Sequence, residues 1–413
     1  MAPGKRYSVF QQEWGETCGP EVLRLRSWLG LEKGTSDASQ PKFVEADTIE
    51  TIDEPLSLPW PVLEAKEVTM LGSLVRLFSA AFLLAFALEC SGQQVSLTGA
   101  GATFPYPVYS KWFSEYHNLH HNVQITSQSI GSGLGIRRFN DGEVDFGASD
   151  APLNDVQVMS FSDRHWSGVL HFPSVVGAVV PAYNLPGASV DLNFTPQALA
   201  GIFLGQITKW NDPELAKANP KVKLPGNDIM LIHRSDPSGT TYVWSDYLAK
   251  VSFEFRQRFG RDTLISWPVG RGAAGNQGVA DLIRQTPYSL GYVELAYARQ
   301  QKLSYGGVRN SSGAFVKADL ASVTAAADAA APFLPDDFRF SIANSPARSA
   351  YPISSFTWLV VPSEIKDKAK LDAMRAFLSW MLGPGQNMVE ALGFSRLPQS
   401  VVAREVETIS LLR

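Results

Sequence analysis

Cysteine is nearly absent: Cys18 and Cys90 are the only two in 413 residues, and none follows residue 92. A disulfide framework and a cysteine-ligated zinc site are thereby excluded from the long C-terminal stretch. Charge is sparse as well, at 18% of residues, and it balances to a formal −4. That balance builds no broad basic surface, so nucleic acid is not an expected partner, and any anion must be held by a small local site. No apolar run reaches the roughly 20 residues that a membrane-spanning helix needs. There is no internal repeat, no Walker loop and no dinucleotide fingerprint. Histidine numbers six. His117 and His121 have the i, i+4 spacing of a metal pair, with Glu115 nearby, but they end a helical stretch on its polar side and read as solvated. No metal and no cofactor is expected.

What is present is an apolar fraction of 45%, enough for two or more domains with hydrophobic cores. The run Leu77–Leu88 is almost purely apolar, Arg76 precedes it, and Cys90-Ser-Gly-Gln-Gln94 follows. A short apolar core with a basic flank and a small-residue exit is the pattern of a secretory signal peptide. The expected signal segment is 70–92, with Met70 as its start, a mature chain from Gln93 and a periplasmic location. Residues 1–69 show no sustained period and read as an extension or a mis-called start. Glu89, just before Cys90, argues against lipidation there.

From Val95 onward, strand-like runs alternate with helical patterns. Val123–Ser127 alternates like a strand, and Val175–Val180 and Trp358–Val361 read as buried strands. Val108, Trp112 and Tyr116 share a helical face, as do Leu371, Met374, Phe377 and Leu378 within 368–382. The Ala-rich stretch 318–332 reads as helix and loop. The fold class expected is α/β with mixed sheets.

Three segments are composed to present backbone N–H groups: Thr98–Pro105, Ser129–Gly135 and Arg234–Thr240. Each sets Gly beside Ser or Thr where a helix opens, and a helix N-terminus offers free N–H groups and partial positive charge to an anion. Thr103, Ser132, Ser238 and Thr240 add hydroxyls, and Arg234 adds a planar fork suited to phosphate oxygens. Each segment alone is equally what an ordinary capped helix start looks like. Asp150, in Val144-Asp-Phe-Gly-Ala-Ser-Asp-Ala-Pro152, suits an Asx-turn or a helix cap as well as a site.

Seven stretches, in order, carry a resemblance: SLTGAGATFPYPVYSKW, SIGSGLGIRRF, VDFGASDAPL, GIFLGQITKWNDP, HRSDPSGTTYVWSDYL, LGYVELAYA and YPISSFTWLVV. From Ser96 to the end the chain resembles the periplasmic phosphate-binding proteins of high-affinity phosphate ABC transporters. The resemblance implies a two-lobed periplasmic-binding-protein fold with a hinge of two chain crossings, near Val175–Val180 and Tyr351–Phe356. The implied lobes are 93–177 with 350–413, and 178–349. It implies a ligand set of Thr103, the Phe104 N–H, Ser132, Asp150, Arg234, Ser238, Gly239 and Thr240, with Asp236 holding the arginine. Pro237 stands where some relatives have glycine. The implied activity is capture of inorganic phosphate and its delivery to a membrane permease by a monomer that is not an enzyme. Asp150 fits a ligand that still carries a proton: hydrogen phosphate can donate to a carboxylate and sulfate cannot. Rival readings are another protonated oxyanion such as arsenate, and a secreted phosphatase-like enzyme using Ser238 or Thr240, which would need a base or metal ions. His233 adjoins Arg234, but strand alternation sends it to the opposite face.

Overall fold

The computed structural model describes residues 94–165, 167–187 and 191–413. The apolar segment 77–88, Cys90 and residues 1–69 lie outside the described residues. Nine strands form one mixed sheet: β1 (Val95–Gly101), β2 (Val123–Ser129), β3 (Phe146–Ser149), β4 (Val169–Asn184), β5 (Met230–Arg234), β6 (Arg271–Ala273), β7 (Ser289–Glu294), β8 (Ser304–Tyr305) and β9 (Ser354–Pro362). Their order is β2-β1-β3-β9-β4-β7-β5-β6, with β8 also against β4. The periods in the sequence thus gave α/β correctly, and parallel pairs (β1 with β2 and β3, β5 with β6 and β7) flank antiparallel pairs at the centre.

β4 is the strand that joins the two lobes. Its first part, through Ala178, pairs with β9, and from Val179 onward it pairs with β7. It runs 16 residues, well beyond the apolar run Val175–Val180 that reads as a buried strand in the sequence. Pro173 and Ser174 break the apolar run, and there the ladder with β9 shifts register: Thr357 faces Val175, Trp358 faces Pro173, and Ser174 faces nothing. A proline within a sheet is tolerated at such a bulge, where no ladder donor is required.

In the first lobe, α1 (Tyr106–Leu119) follows β1 and α2 (Ser132–Asn140) follows β2. In the second lobe, α3 (Gly239–Val251) follows β5 and α4 (Gly275–Gln285) follows β6. The chain then returns through β9 to α5 (Lys368–Leu382) and α6 (Gln399–Ile409). Asp367 caps α5 by accepting from the N–H groups of Ala369 and Lys370 at 2.9 and 3.1 Å. The buried face of α5 meets that of α1, with Phe377 5.6 Å from Phe113 and 5.2 Å from Tyr116 between ring centroids. The second lobe packs around Trp244 stacked on Tyr292 at 5.3 Å. The tyrosine's hydroxyl meets Thr241 Oγ1 at 2.7 Å and accepts from the Arg234 N–H at 3.2 Å, tying α3 to β5.

Candidate anion-binding site

Three strand-to-helix turns converge where the lobes meet. The first ends β1 at Gly101, whose carbonyl accepts from the N–H groups of Ile130 and Gly131 at 3.0 and 2.9 Å. This ties the first turn to the second. Gly131 has φ +92, a left-handed conformation, and a Cβ there would lie 2.7 Å from both Asp236 Oδ2 and the Pro237 carbonyl. Only glycine supplies that backbone and that clearance. Gly133 N–H then donates to the Pro237 carbonyl at 3.1 Å, joining the second turn to the third across the lobes. Pro237, the unusual residue of the third turn, thus acts through its carbonyl.

The third turn is capped by Ser238, whose Oγ accepts from the Thr241 N–H at 3.2 Å. Gly239 opens α3 and lies against the first lobe: a Cβ on it would run into Asp150 Oδ2 and Ser132 Oγ. The α3 N-terminus is therefore packed directly against Asp150 and Ser132.

Asp150 follows β3 and is wholly buried. Its Oδ1 accepts from Thr357 Oγ1 at 2.7 Å, and its N–H donates to Ser132 Oγ at 3.3 Å. Burial raises its carboxyl to about 7, against the opposing effects of the Thr357 hydrogen bond, the Arg234 charge and Ser132. Arg234 is buried as well. Its Nε donates to Asp236 Oδ1 at 2.8 Å and its Nη2 to Asp236 Oδ2, while Nη1 donates to Thr240 Oγ1 at 3.3 Å. Burial works against a charge on Asp236, but the Arg234 hydrogen bonds and charge, with the Gly275 N–H at 3.0 Å, hold its carboxyl below the usual range.

The structure thus brings Thr103, Ser132, Asp150, Arg234, Ser238, Gly239 and Thr240 into one buried cluster, with Asp236 behind the arginine. Phe104 follows Thr103, its ring buried 6.0 Å from that of Phe394. His233 points away, beside the Trp267 ring at 6.0 Å, with its Nδ1 3.0 Å from the Arg234 carbonyl oxygen. His117, on α1, has its Nδ1 2.9 Å from the carbonyl oxygen of Val123 on β2.

Sequence reasoning missed three residues of the cluster. Thr357 reads as one more residue of a buried strand. Tyr297, whose hydroxyl donates to the Thr103 carbonyl at 2.7 Å, reads as core. Asn276 opens α4 in a fourth glycine-bearing turn, Ala274-Gly275-Asn276, which lacks the Ser or Thr that flags the other three. Its side chain donates to Thr103 Oγ1 at 2.9 Å and to Thr240 Oγ1 at 3.0 Å.

Residues 89–384 match a family model described as a PBP superfamily domain. The chain is 41% identical over 311 residues to the phosphate-binding protein PstS of Xylella fastidiosa, a match covering 75% of this chain and 84% of that one. It is 36% identical over 320 residues to the phosphate-binding protein PstS of Pasteurella multocida, covering 77% and 90%. Its fold matches that of the crystallised phosphate-binding protein of Stenotrophomonas maltophilia with a TM-score of 0.58 at 20% identity, over 76% of this chain and 93% of that one.

Proposed function

This chain belongs to the PBP superfamily and, within it, to the PstS phosphate-binding proteins, and from that premise we propose that it captures inorganic phosphate between its lobes and hands it to the permease of a phosphate ABC transporter. The ligand is held by Thr103, the Phe104 N–H, Ser132, Asp150, Arg234, Ser238, Gly239 and Thr240. The carrying observation is the polarity of the cluster: hydroxyls, a helix N-terminus and one guanidinium gather around Asp150, whose Oδ1 is taken by Thr357 and whose Oδ2 faces the start of α3, while the Asp236 carboxylate is spent on Arg234.

A buried oxyanion loses its hydration shell at large cost, so fixed donors must replace every water. Hydroxyls and N–H groups do this without adding net charge, and Arg234 adds one. A lone acceptor among donors suits a ligand with one proton left to give. Hydrogen phosphate and hydrogen arsenate have it; sulfate at neutral pH does not. The lobes are 93–177 with 350–413, and 178–349, and ligand contacts divided between them favour the closed form by differential affinity. Export by the 70–92 segment places the mature monomer outside the cytoplasm, where it would act as a carrier and not as an enzyme. His233 is turned from the cluster, so among the described residues Ser238 and Thr240 have no neighbouring imidazole as base.

Calorimetric titration of the purified chain with phosphate, sulfate and a phosphomonoester tests this. At pH 8 phosphate is expected to bind tightly, sulfate not at all, and the ester to remain intact. Turnover of the ester would replace the carrier reading with an enzymatic one.

A further inference from the structure

Asn276 is buried, and all its side-chain hydrogen-bonding capacity toward the cluster is committed. Its Oδ1 accepts from the Glu294 N–H at 3.0 Å. A backbone N–H can only donate, so this contact fixes which way the amide points and aims both protons of Nδ2 at hydroxyls. One goes to Thr103 in the first lobe and the other to Thr240 in the second.

Each threonine oxygen then has a second donor. Thr103 Oγ1 also receives the Asn276 N–H at 3.3 Å, and Thr240 Oγ1 also receives Arg234 Nη1 at 3.3 Å. A hydroxyl has two lone pairs and one proton. With both lone pairs engaged, its proton has to leave in the remaining direction, and among the described residues neither hydroxyl has an acceptor for it. We propose that Asn276 is a positioning residue: it fixes the Thr103 and Thr240 hydroxyls as donors toward a bound oxyanion and, by spanning them, latches the two lobes together. This rests on the phosphate-binding reading and adds to it a residue that does not itself touch the ligand.

The latch has a second consequence. The contact between Asn276 and Thr103 lies on the wall of a cavity of about 750 Å³, lined in addition by Tyr106, Leu134, Asp236, Gln277 and Tyr297. Ser132, Asp150 and Arg234 are not on that wall. Thr103 and Asn276 thus belong both to the cluster and to the cavity wall, and parting their contact is expected to open a way out. Loss of the bridge should speed release more than it slows capture.

The test is phosphate titration and stopped-flow kinetics on wild type, Asn276→Ala, Thr103→Val and the double variant, with folding checked by circular dichroism. We expect Asn276→Ala to weaken phosphate binding at least about tenfold, the scale of lost hydrogen bonds to buried groups, chiefly through a faster dissociation rate. In the Thr103→Val background the same change should cost at least about threefold less, because half the bridge is already gone. Equal penalties in both backgrounds, or a penalty confined to the association rate, would overturn the proposal. Asn276→Asp keeps the shape and stands in if the alanine variant does not fold. Its carboxylate accepts the threonine protons and turns them from the ligand, so affinity unchanged from wild type also overturns it. A wild type that binds no phosphate removes the underlying reading itself, an outcome distinct from a binding wild type with indifferent variants.

Discussion

Thr357 donates to one oxygen of Asp150 and leaves the other to the cleft: Oγ1 lies 2.7 Å from Oδ1, while Oδ2, like Ser132 Oγ, lies 2.4 Å from a Cβ built on Gly239. The carboxylate is thereby oriented by a strand that belongs to the hinge region. Because burial raises Asp150 to about 7, this oxygen takes up a proton as pH falls below neutrality. Asp150→Asn should weaken phosphate binding modestly, by roughly 1–2 kcal/mol, since the amide keeps an acceptor and removes a repulsion. Sulfate binding should rise from undetectable to measurable, because the amide can also donate. Wild type should gain sulfate affinity between pH 8 and pH 5 as Asp150 becomes a donor, and the asparagine variant should not. Calorimetry of both anions at fixed ionic strength checks this. A variant that rejects sulfate as firmly as wild type at every pH removes Asp150 from the selectivity mechanism.

Arg234→Lys keeps the charge and loses the fork. The guanidinium spends Nε and Nη2 on Asp236 and Nη1 on Thr240, and one ammonium cannot hold that plane. A loss of about 1.5–3 kcal/mol in phosphate affinity is expected, the scale of a charged hydrogen bond. An affinity equal to wild type would place Arg234 outside the ligand's reach.

Gly239→Ala places a methyl group against Asp150 Oδ2 and Ser132 Oγ. Both atoms belong to the opposite lobe, so the methyl props the cleft open. The cost to phosphate binding should be about 1–3 kcal/mol, as for overpacking elsewhere. Small-angle scattering should show wild type compacting with phosphate and the variant compacting less. Equal compaction at saturating ligand would count against contact between Gly239 and the first lobe.

Much of this site can be read in the sequence because each of its three turns repeats one device: glycine for the backbone, Ser or Thr for the hydroxyl, and a helix start behind them. Residues outside that device escape notice. Asn276 follows a glycine with no hydroxyl neighbour, and its two partners lie 173 and 36 residues away. Thr357 sits among Phe356, Trp358 and Leu359, where a threonine reads as strand propensity. The length of β4 was hidden by Pro173, which ends an apolar run without ending the strand. The Ala-rich stretch could be read as helix, but its start at Leu320 depends on a capping box of Asp319 and Ser322.

Glu405 is the residue the sequence disguises most. It stands four positions after Val401 and four before Ile409, both buried, so it lies on the inward face of α6. Neither of its carboxylate oxygens has a hydrogen-bond partner among the described residues. Burial raises its carboxyl well above the ordinary 4.5. The folded state therefore holds the proton more tightly than the unfolded chain does. Stability from this group is fully present below the unfolded value near 4.5 and is lost as pH rises toward the folded one. Glu405→Met removes the titration and fills the site with a flexible apolar side chain. The variant should be more stable than wild type at pH 8, by about 1–3 kcal/mol, the cost of an unsatisfied buried polar group, with a smaller gain at pH 5. Asp150 and Glu294 also have raised carboxyls, but both remain in the variant, so the difference between the two proteins isolates Glu405. Denaturant unfolding of both at pH 5 and pH 8, without phosphate, makes the comparison. A stability difference that is the same at both pH values would mean that Glu405 does not change its protonation on folding.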